Sequence, residues 1–381
     1  MPIDSVSSLI DVLREKRFLP PDQLDELNRA LRPRFSDVKT LAKYLVQRGW
    51  LTVYQVNQIL VGRVQDLVYG PYLILDRLGE GGVSQVFKAW HTGKNCVVAL
   101  KVIREELLSN PEAFARFQRE MHAVACLSHP NIVSSIDSDL VGHTNFFAME
   151  YVEGTDLGKL VQLTGPLKIP IACEYIRQAA LGLQHAHEHG LVHRDIKPPN
   201  LFLTGATLPS APATPSRSQT AGSEREGAGP SGSVPMVIGK GEIKILDMGL
   251  ARLREANVPS GENVVALTQE GTMMGTPDYL APEQARNAKT ADIRSDIYSL
   301  GCTFYFFLTG HPPFPGNSVM QKLFQHQKEE PKPIESIRSN VPPGLSPILK
   351  KMMAKQPADR YQTPGEIAKA LEPFCQPPQK T

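Results

Sequence analysis

His193-Arg194-Asp195-Ile196-Lys197-Pro198-Pro199-Asn200 is the stretch on which the reading of this chain turns. A carboxylate, an amine two residues on and an amide three beyond that converge readily on one loop. In that arrangement Asp195 can accept or orient a hydroxyl proton, Lys197 can hold a transferring phosphoryl group, and Asn200 can ligate Mg2+. A second metal ligand is needed, and Asp247 in Ile245-Leu246-Asp247-Met248-Gly249 supplies it at the end of a predicted strand. Taken singly these are ordinary loop polar residues; their joint order is what points to chemistry.

Working outward, Gly79-Glu80-Gly81-Gly82-Val83-Ser84-Gln85-Val86 sits between two predicted strands. Glycines without Cβ let a turn lie close over phosphate groups and offer its N–H donors, although glycine hairpins are common without that use. Val98-Ala99-Leu100-Lys101 follows, with a lysine in an otherwise apolar strand. Such a lysine ordinarily snorkels from a sheet edge. Beside a glycine hairpin its charge can instead neutralise phosphate. Glu120, near the Phe117 and Val124 face of the next helix, is its candidate carboxylate partner, and by itself would be a solvated helix charge.

Composition limits the alternatives. The chain has 381 residues, with 41 Lys+Arg against 39 Asp+Glu and a net charge of +2. That balance, with no basic stripe interleaved with aromatics, argues against nucleic acid as a partner. The N-terminus lacks the basic start and apolar run of a secretory signal. The longest apolar stretch, residues 297–308, falls short of the roughly 20 residues that span a bilayer and reads as a buried helix. Five widely spaced cysteines (96, 126, 173, 302 and 375) include no CxxC pair, which supports neither a disulfide framework nor a zinc site. A cytoplasmic protein with no membrane insertion of its own is expected.

Residues 1–62 read as four short amphipathic helices. Val6, Leu9, Ile10 and Leu13 recur at helical spacing, as do Leu24, Leu27 and Leu31 after Pro20-Pro21. A third helix carries Val38, Leu41, Leu45 and Val46 behind Ser36 as N-cap and stops at Gly49. A fourth opens with Thr52 and Gln55 at capping-box spacing and ends at Gly62. Residues 63–71 read as a linker. From Tyr72 short strands take over, then a helix opening at Asn110-Pro111, and after about residue 170 the chain is mostly helical. Within 205–239, 25 of the 35 residues are Gly, Ala, Pro, Ser or Thr, the composition of a disordered insertion.

The ordered motifs resemble the protein kinase superfamily, specifically bacterial Ser/Thr kinases of the eukaryotic type. Gly275-Thr276-Pro277-Asp278-Tyr279-Leu280-Ala281-Pro282-Glu283, Ser295-Asp296 through Gly301, and Arg360 extend the match. The resemblance implies an α+β two-lobed fold over 72–374, with a mainly β N-lobe (72–152) and a mainly α C-lobe (153–374). A small all-α module precedes it and a tail (375–381) follows. It implies ATP and Mg2+ as cofactors and protein Ser/Thr hydroxyls as substrate. By position, Lys101 would contact the α- and β-phosphates and pair with Glu120. Asp195 would be the catalytic base, with Lys197 beside it, and Asn200 and Asp247 the metal ligands. The nucleotide would lie under Leu78, Gly79, Glu80, Gly81, Gly82, Val83, Ser84, Gln85 and Val86. Met149 would back the adenine, Glu150 and Val152 offer hinge backbone groups, Val86, Ala99 and Phe202 sandwich the base, and Asp156 bind ribose. Glu283 with Arg360 would brace the large lobe, and Asp296 would anchor the catalytic loop.

Three departures from the family pattern stand out. Ser84 replaces the third glycine, Met248 replaces the usual Phe, and Asn200 and Asp247 lie 47 positions apart because the insertion interrupts a hairpin. None removes a reacting group. Arg194 beside Asp195 seeks an anion, which the resemblance supplies as a phosphorylated Thr268 or Thr272 in the activation loop. Two further readings remain: a catalytically silent kinase fold serving as a scaffold, and a small-molecule phosphotransferase. Residues 1–62 are expected to dock on a partner, or on the kinase itself, through the face around Trp50 and Tyr54.

Overall fold

The computed structural model describes residues 3–81, 84–104, 111–141, 144–206, 241–248, 277–286 and 291–376. The N-terminal helices are α1 (Val6–Glu15), α2 (Pro21–Glu26), α3 (Val38–Gln47) and α4 (Val53–Leu60). Ser5 caps α1, its hydroxyl accepting from Ser8 N at 3.1 Å. The cap of α3 is Asp37, which accepts from Thr40 N at 2.8 Å, and not its neighbour Ser36. A carboxylate in this position also meets the positive end of the helix dipole. Thr52 and Gln55 form the capping box of α4. Gly49 and Gly62 adopt φ of 69° and 81°, the left-handed turn that ends α3 and α4.

The stretch 63–71, expected to be a linker, is ordered. It forms a 3₁₀ turn (Val64–Leu67) with Leu67 wholly buried, then β1 (Val68–Tyr69), which pairs with β2 (Tyr72–Glu80). The sheet continues with β3 (Ser84–His91), β4 (Cys96–Ile103), β5 (Ser135–Val141) and β6 (Thr144–Glu150), in the order β1-β2-β3-β4-β6-β5. Helix α5 (Pro111–Ala125) lies between β4 and β5 in the chain. Asn110, expected as its cap, falls outside the described residues.

Side-chain alternation along these strands sorts the protein into two cores. Ala99 and Ile103 of β4, with Phe147 and Met149 of β6, join Met121 and Val124 of α5 in the core shared with the large lobe. Val98, Leu100, Phe146 and Ala148 face the other way. They join Phe87, Ala89 and Ile74 in a second core completed by Leu9, Leu13, Leu41, Leu45 and Ile59 of the N-terminal helices. The helical module therefore covers the outer face of the sheet and leaves the inner face to the cleft.

The large lobe holds β7 (Gly154–Asp156), α6 (Leu157–Thr164), α7 (Ile169–Glu188), β8 (Leu201–Thr204) and β9 (Ile243–Ile245). After them come α8 (Pro282–Arg286), α9 (Ile293–Thr309), α10 (Val319–Lys328), α11 (Leu345–Met352) and α12 (Pro364–Leu371). Strands β7, β8 and β9 make a small antiparallel sheet in that order. The residues joining β8 to β9 include most of the Ser-, Gly- and Pro-rich stretch, and positions 207–240 lie outside the described residues. The apolar run 297–308 lies within α9, buried from Ser295 to Thr309. Among the described residues no helix is long and apolar enough to cross a membrane. Gly182 lets α7 approach the small sheet: a Cβ there would lie 2.9 Å from both Asn131 O and Ile245 Cδ1. That contact seats β9, and with it Asp247 two residues on.

Candidate active site

Asp195 lies on a loop anchored from below by α9. Asp296 in its first turn is fully buried, and both its oxygens are used. Oδ1 accepts from Arg194 N at 2.7 Å; Oδ2 accepts from His193 N at 2.8 Å and from His187 Nε2 at 2.9 Å. Burial alone would raise the pKa of this carboxyl, but the His187 hydrogen bond and charge and the backbone donors hold it below the ordinary range. His193 ties the loop to the strand beside it, donating from Nε2 to Leu246 O at 2.8 Å while Nδ1 accepts from Asp195 N at 3.2 Å. Arg194 sits at φ 66° and Asp247 at φ 64°, left-handed conformations that are costly away from glycine. Both lie where the backbone must turn to present the neighbouring polar groups.

Around Asp195 the polar groups close in. Lys197 Nζ donates to Oδ1 at 3.0 Å and Oδ2 at 2.8 Å. Asn200 Nδ2 donates to the Asp195 carbonyl at 2.7 Å and, less closely, to its carboxylate at 3.4 Å. The amide is thereby oriented with Oδ1 as its acceptor. Leu246 N donates to Asn200 O at 2.9 Å, so Asp247 follows directly from the strand pair that carries Asn200. From the small lobe, Lys101 Nζ reaches Asp247 Oδ1 at 2.7 Å. The side chain of Glu120, its expected partner on α5, is outside the described residues. Met248 is buried and lines a small apolar pocket with Val124, Phe147 and Met149, beside Asp247.

Above this cluster the hairpin between β2 and β3 is closed by Gly81 N donating to Ser84 O at 2.8 Å. Ser84, in the third-glycine position, is buried as the first residue of β3, opposite Ile103. Packing within the protein does not demand Gly79: a Cβ there would meet nothing within 4 Å. Glu80 is held by Arg77, by Arg104 at 2.8 Å and by Gln85 at 3.3 Å, the last contact leading the forces that lower its pKa. Leu78 is exposed, and Gly82 and Val83 lie outside the described residues. Val86 is opposite Lys101 and Ala99 opposite Met149 in the ladders, while Phe202 comes from β8 in the other lobe. Glu150 N is committed to Ser134 O at 3.0 Å, so what this residue can offer a base is its carbonyl. Its side chain pairs with Lys244 at 2.8 Å. Val152 follows, half-buried. Asp156 caps α6, accepting from Lys159 N at 2.8 Å.

The rest of the large lobe fixes the floor. Arg360 Nη1 and Nη2 meet the two Glu283 oxygens at 2.7 and 2.8 Å, and Ser295 Oγ adds a 2.6 Å bond to Oε1. Burial would raise the Glu283 pKa, but Arg360 keeps it below its ordinary value. Gln284 carries a link that motif reading did not single out: Oε1 accepts from Ala281 N at 3.1 Å and Nε2 donates to Arg194 O at 2.9 Å. His187 was likewise missed, for a lone histidine in α7 carries no signal of its partner 109 positions away. Thr268, Thr272 and Thr276 fall outside the described residues.

A glycine hairpin and a buried lysine on a β lobe, facing two carboxylates on a helical lobe, make the cleft of a two-lobed phosphotransferase fold. Residues 72–371 match the family described as "Protein kinase domain", and the chain belongs to that family. It is 35% identical over 300 residues to "Serine/threonine-protein kinase PknB" of Mycolicibacterium smegmatis, covering 78% of this chain and 41% of that protein. It is 33% identical to "Probable serine/threonine-protein kinase CPE1738" of Clostridium perfringens, over 81% of this chain and 39% of that one. The chain thus spans about two fifths of the length of these curated relatives. The crystal structure of the Mycobacterium tuberculosis PknI kinase domain superposes with a TM-score of 0.57 at 24% identity, over 81% of this chain and 97% of that one, a likeness of fold.

Proposed function

We propose that this chain is an ATP-dependent Ser/Thr protein kinase that moves the γ-phosphoryl group of ATP to a protein hydroxyl. One observation carries the reading: the Asp195 carboxylate, gripped by Lys197 and Asn200, shares a cleft with the Lys101–Asp247 pair. In this mechanism Asp195 takes or orients the proton of the attacking Ser or Thr hydroxyl. Lys197 sits on the same carboxylate, placed to meet the negative oxygens of the group in transit. Lys101 turns from Asp247 to the α- and β-phosphates, and the hairpin from Leu78 to Val86 covers them. The adenine lies between Val86 and Ala99 above and Phe202 below, backed by Met149, with Glu150 and Val152 at the hinge and Asp156 at the ribose.

The donors suit a hard divalent cation. Asp247 offers carboxylate oxygen and Asn200 amide oxygen, the ligand type Mg2+ prefers. Among the described residues no three His, Cys, Asp or Glu side chains gather as a metal site of their own. Asp247 and Asn200 would hold the ion, which would supply positive charge to offset that of the phosphates.

The scaffold reading draws no support, because the four groups whose loss silences such a fold are present and Asp195, Asn200, Asp247 and Lys101 are linked in the cleft. The test is phosphate transfer from labelled ATP with Mg2+, to the protein itself and to a generic basic protein, beside an Asp195→Asn variant. Transfer by the parent and a loss of about 10²–10⁴-fold in the variant is the expected result. ATP binding without transfer by the parent would return the scaffold reading.

A further inference from the structure

Strand β2 is irregular just before the glycine hairpin. Its register with β3 runs Ile74↔Ala89 and then Asp76↔Lys88, so Leu75 has no partner across the ladder. The register slips again at Leu78, between Arg77↔Phe87 and Gly79↔Val86. An extra residue on one strand bends it and sharpens its twist. Both bulges lie between the body of the sheet and the hairpin, so their shape decides where the hairpin points.

The first bulge is held from outside the sheet. Thr52 Oγ1 donates to the Leu75 carbonyl at 2.5 Å, and Gln55 Nε2 donates to the Ile74 carbonyl at 2.8 Å. The same two side chains cap α4, with Gln55 N donating to Thr52 Oγ1 at 3.1 Å and Thr52 N to Gln55 Oε1 at 2.9 Å. Gln55 is only 2% exposed, a costly place for a primary amide unless both its ends are bonded. A capping box alone has no need of that burial, since its partners are local. The bond to Ile74 is what the burial of Gln55 adds, and Thr52 adds the one to Leu75. Tyr54, between them in sequence, sets its ring 6.4 Å from that of Phe87, the β3 residue opposite Arg77.

We propose that Thr52 and Gln55 are positioning residues for nucleotide: they clamp the Leu75 bulge of β2 and thereby fix the pose of the glycine hairpin over the phosphates. The inference rests on the ATP-binding reading above. It makes the start of α4 a support of the nucleotide site, acting at a distance through β2.

The test compares Thr52→Val, Gln55→Met, Thr52→Ser and Leu9→Ala in the full chain. Thr52→Val and Gln55→Met each remove the bond to β2, together with that side chain's capping bond in α4, with little change of shape. Thr52→Ser keeps the hydroxyl. Leu9→Ala weakens the same helical core away from the clamp and controls for lost stability. For each, KM for ATP, kcat and the thermal midpoint are measured, with ATP affinity read separately by direct titration. Loss of one such hydrogen bond predicts a rise of about 3- to 10-fold in KM and in the ATP dissociation constant, with a smaller change in kcat. Thr52→Ser should behave as the parent, and Leu9→Ala should lower the midpoint with KM unchanged. Unchanged ATP affinity in Thr52→Val and Gln55→Met, or an equal loss in Leu9→Ala, overturns the clamp. A parent that binds ATP but transfers no phosphate would overturn the kinase reading alone, because the titration still reads the clamp.

Discussion

Lys101 Nζ lies 2.7 Å from Asp247 Oδ1, a bond that crosses from the sheet of the small lobe to the segment leaving β9 in the large one. The lysine is almost wholly enclosed and the carboxylate partly open. Under the proposed function, phosphates would compete for the first group and a divalent cation for the second, so nucleotide and metal should exchange with this pair together. Lys101→Met and Asp247→Asn are each expected to lower kcat/KM by about 10²–10³-fold. Because the two side chains touch, the double variant should lose less than the product of the single losses. Steady-state kinetics on the three variants checks this, and strictly multiplicative losses would show that the pair does not act as a unit.

Asp296 gathers three donors from two elements, and its removal would leave His193 N, Arg194 N and His187 Nε2 without it. Asp296→Ala should therefore cost about 3 kcal/mol or more, as for other buried charges stripped of a partner. Chemical denaturation measures the cost. Transfer should also fall at temperatures where the variant remains folded, since Arg194 no longer has what holds it at φ 66°.

Motif order pointed to the lobes and to the proposed reacting groups because the chemistry constrains residue type at short spacing: Asp195, Lys197 and Asn200 share one loop. The capping box of α4 was equally legible, for Thr52 and Gln55 meet locally. What they hold beyond the helix was not, since Ile74 and Leu75 offer backbone carbonyls and carbonyls have no sequence signature. The same holds for Gln284, whose partners are the main chain of Ala281 and Arg194. The order within the expected linker at 63–71 was not legible for a related reason. Short segments carry weak periodicity, and Leu67 and β1 are ordered by the sheet and helices around them.

Arg194 is buried beside Asp195 in sequence, with Nη2 3.4 Å from Ala291 O and its carbonyl tied to Gln284. We expect an activation-loop phosphate to bear on this guanidinium, at Thr268 or Thr272. The double variant Thr268→Ala/Thr272→Ala should lose activity together with the autophosphorylation signal mapped to those positions. Arg194→Gln should lower parent activity while leaving the double variant little changed. Full activity in the double variant would remove phosphorylation at these threonines as the switch. Glu270, between them, is expected to support some basal activity by its fixed charge, which Glu270→Ala in the unphosphorylated enzyme would test.

His326 offers a pH readout of the large lobe that is independent of catalysis. Burial, helped by the nearby charge of Lys355 and Lys322, pushes its pKa down from 6.5 to about 3. Around it, Tyr298 Oη lies 2.9 Å from Nδ1, Lys355 Nζ donates to its carbonyl at 3.0 Å, and Lys322 pairs with Asp278 at 2.6 Å. The unfolded chain binds a proton here below pH 6.5, while the folded protein refuses it until about pH 3. Stability from this group is therefore full above pH 6.5 and is lost progressively as the pH falls towards 3. His326→Gln cannot titrate, so its thermal midpoint should fall less steeply than the parent's as the pH drops from 6.5 towards 5. That window lies above the ordinary value of 4.5 for Glu283, whose own lowered pKa withdraws stability only on further acidification. The comparison is of slopes, which cancels any constant packing cost of the substitution. Equal slopes in the two proteins would mean that His326 takes up its proton as readily in the folded lobe as in the unfolded chain.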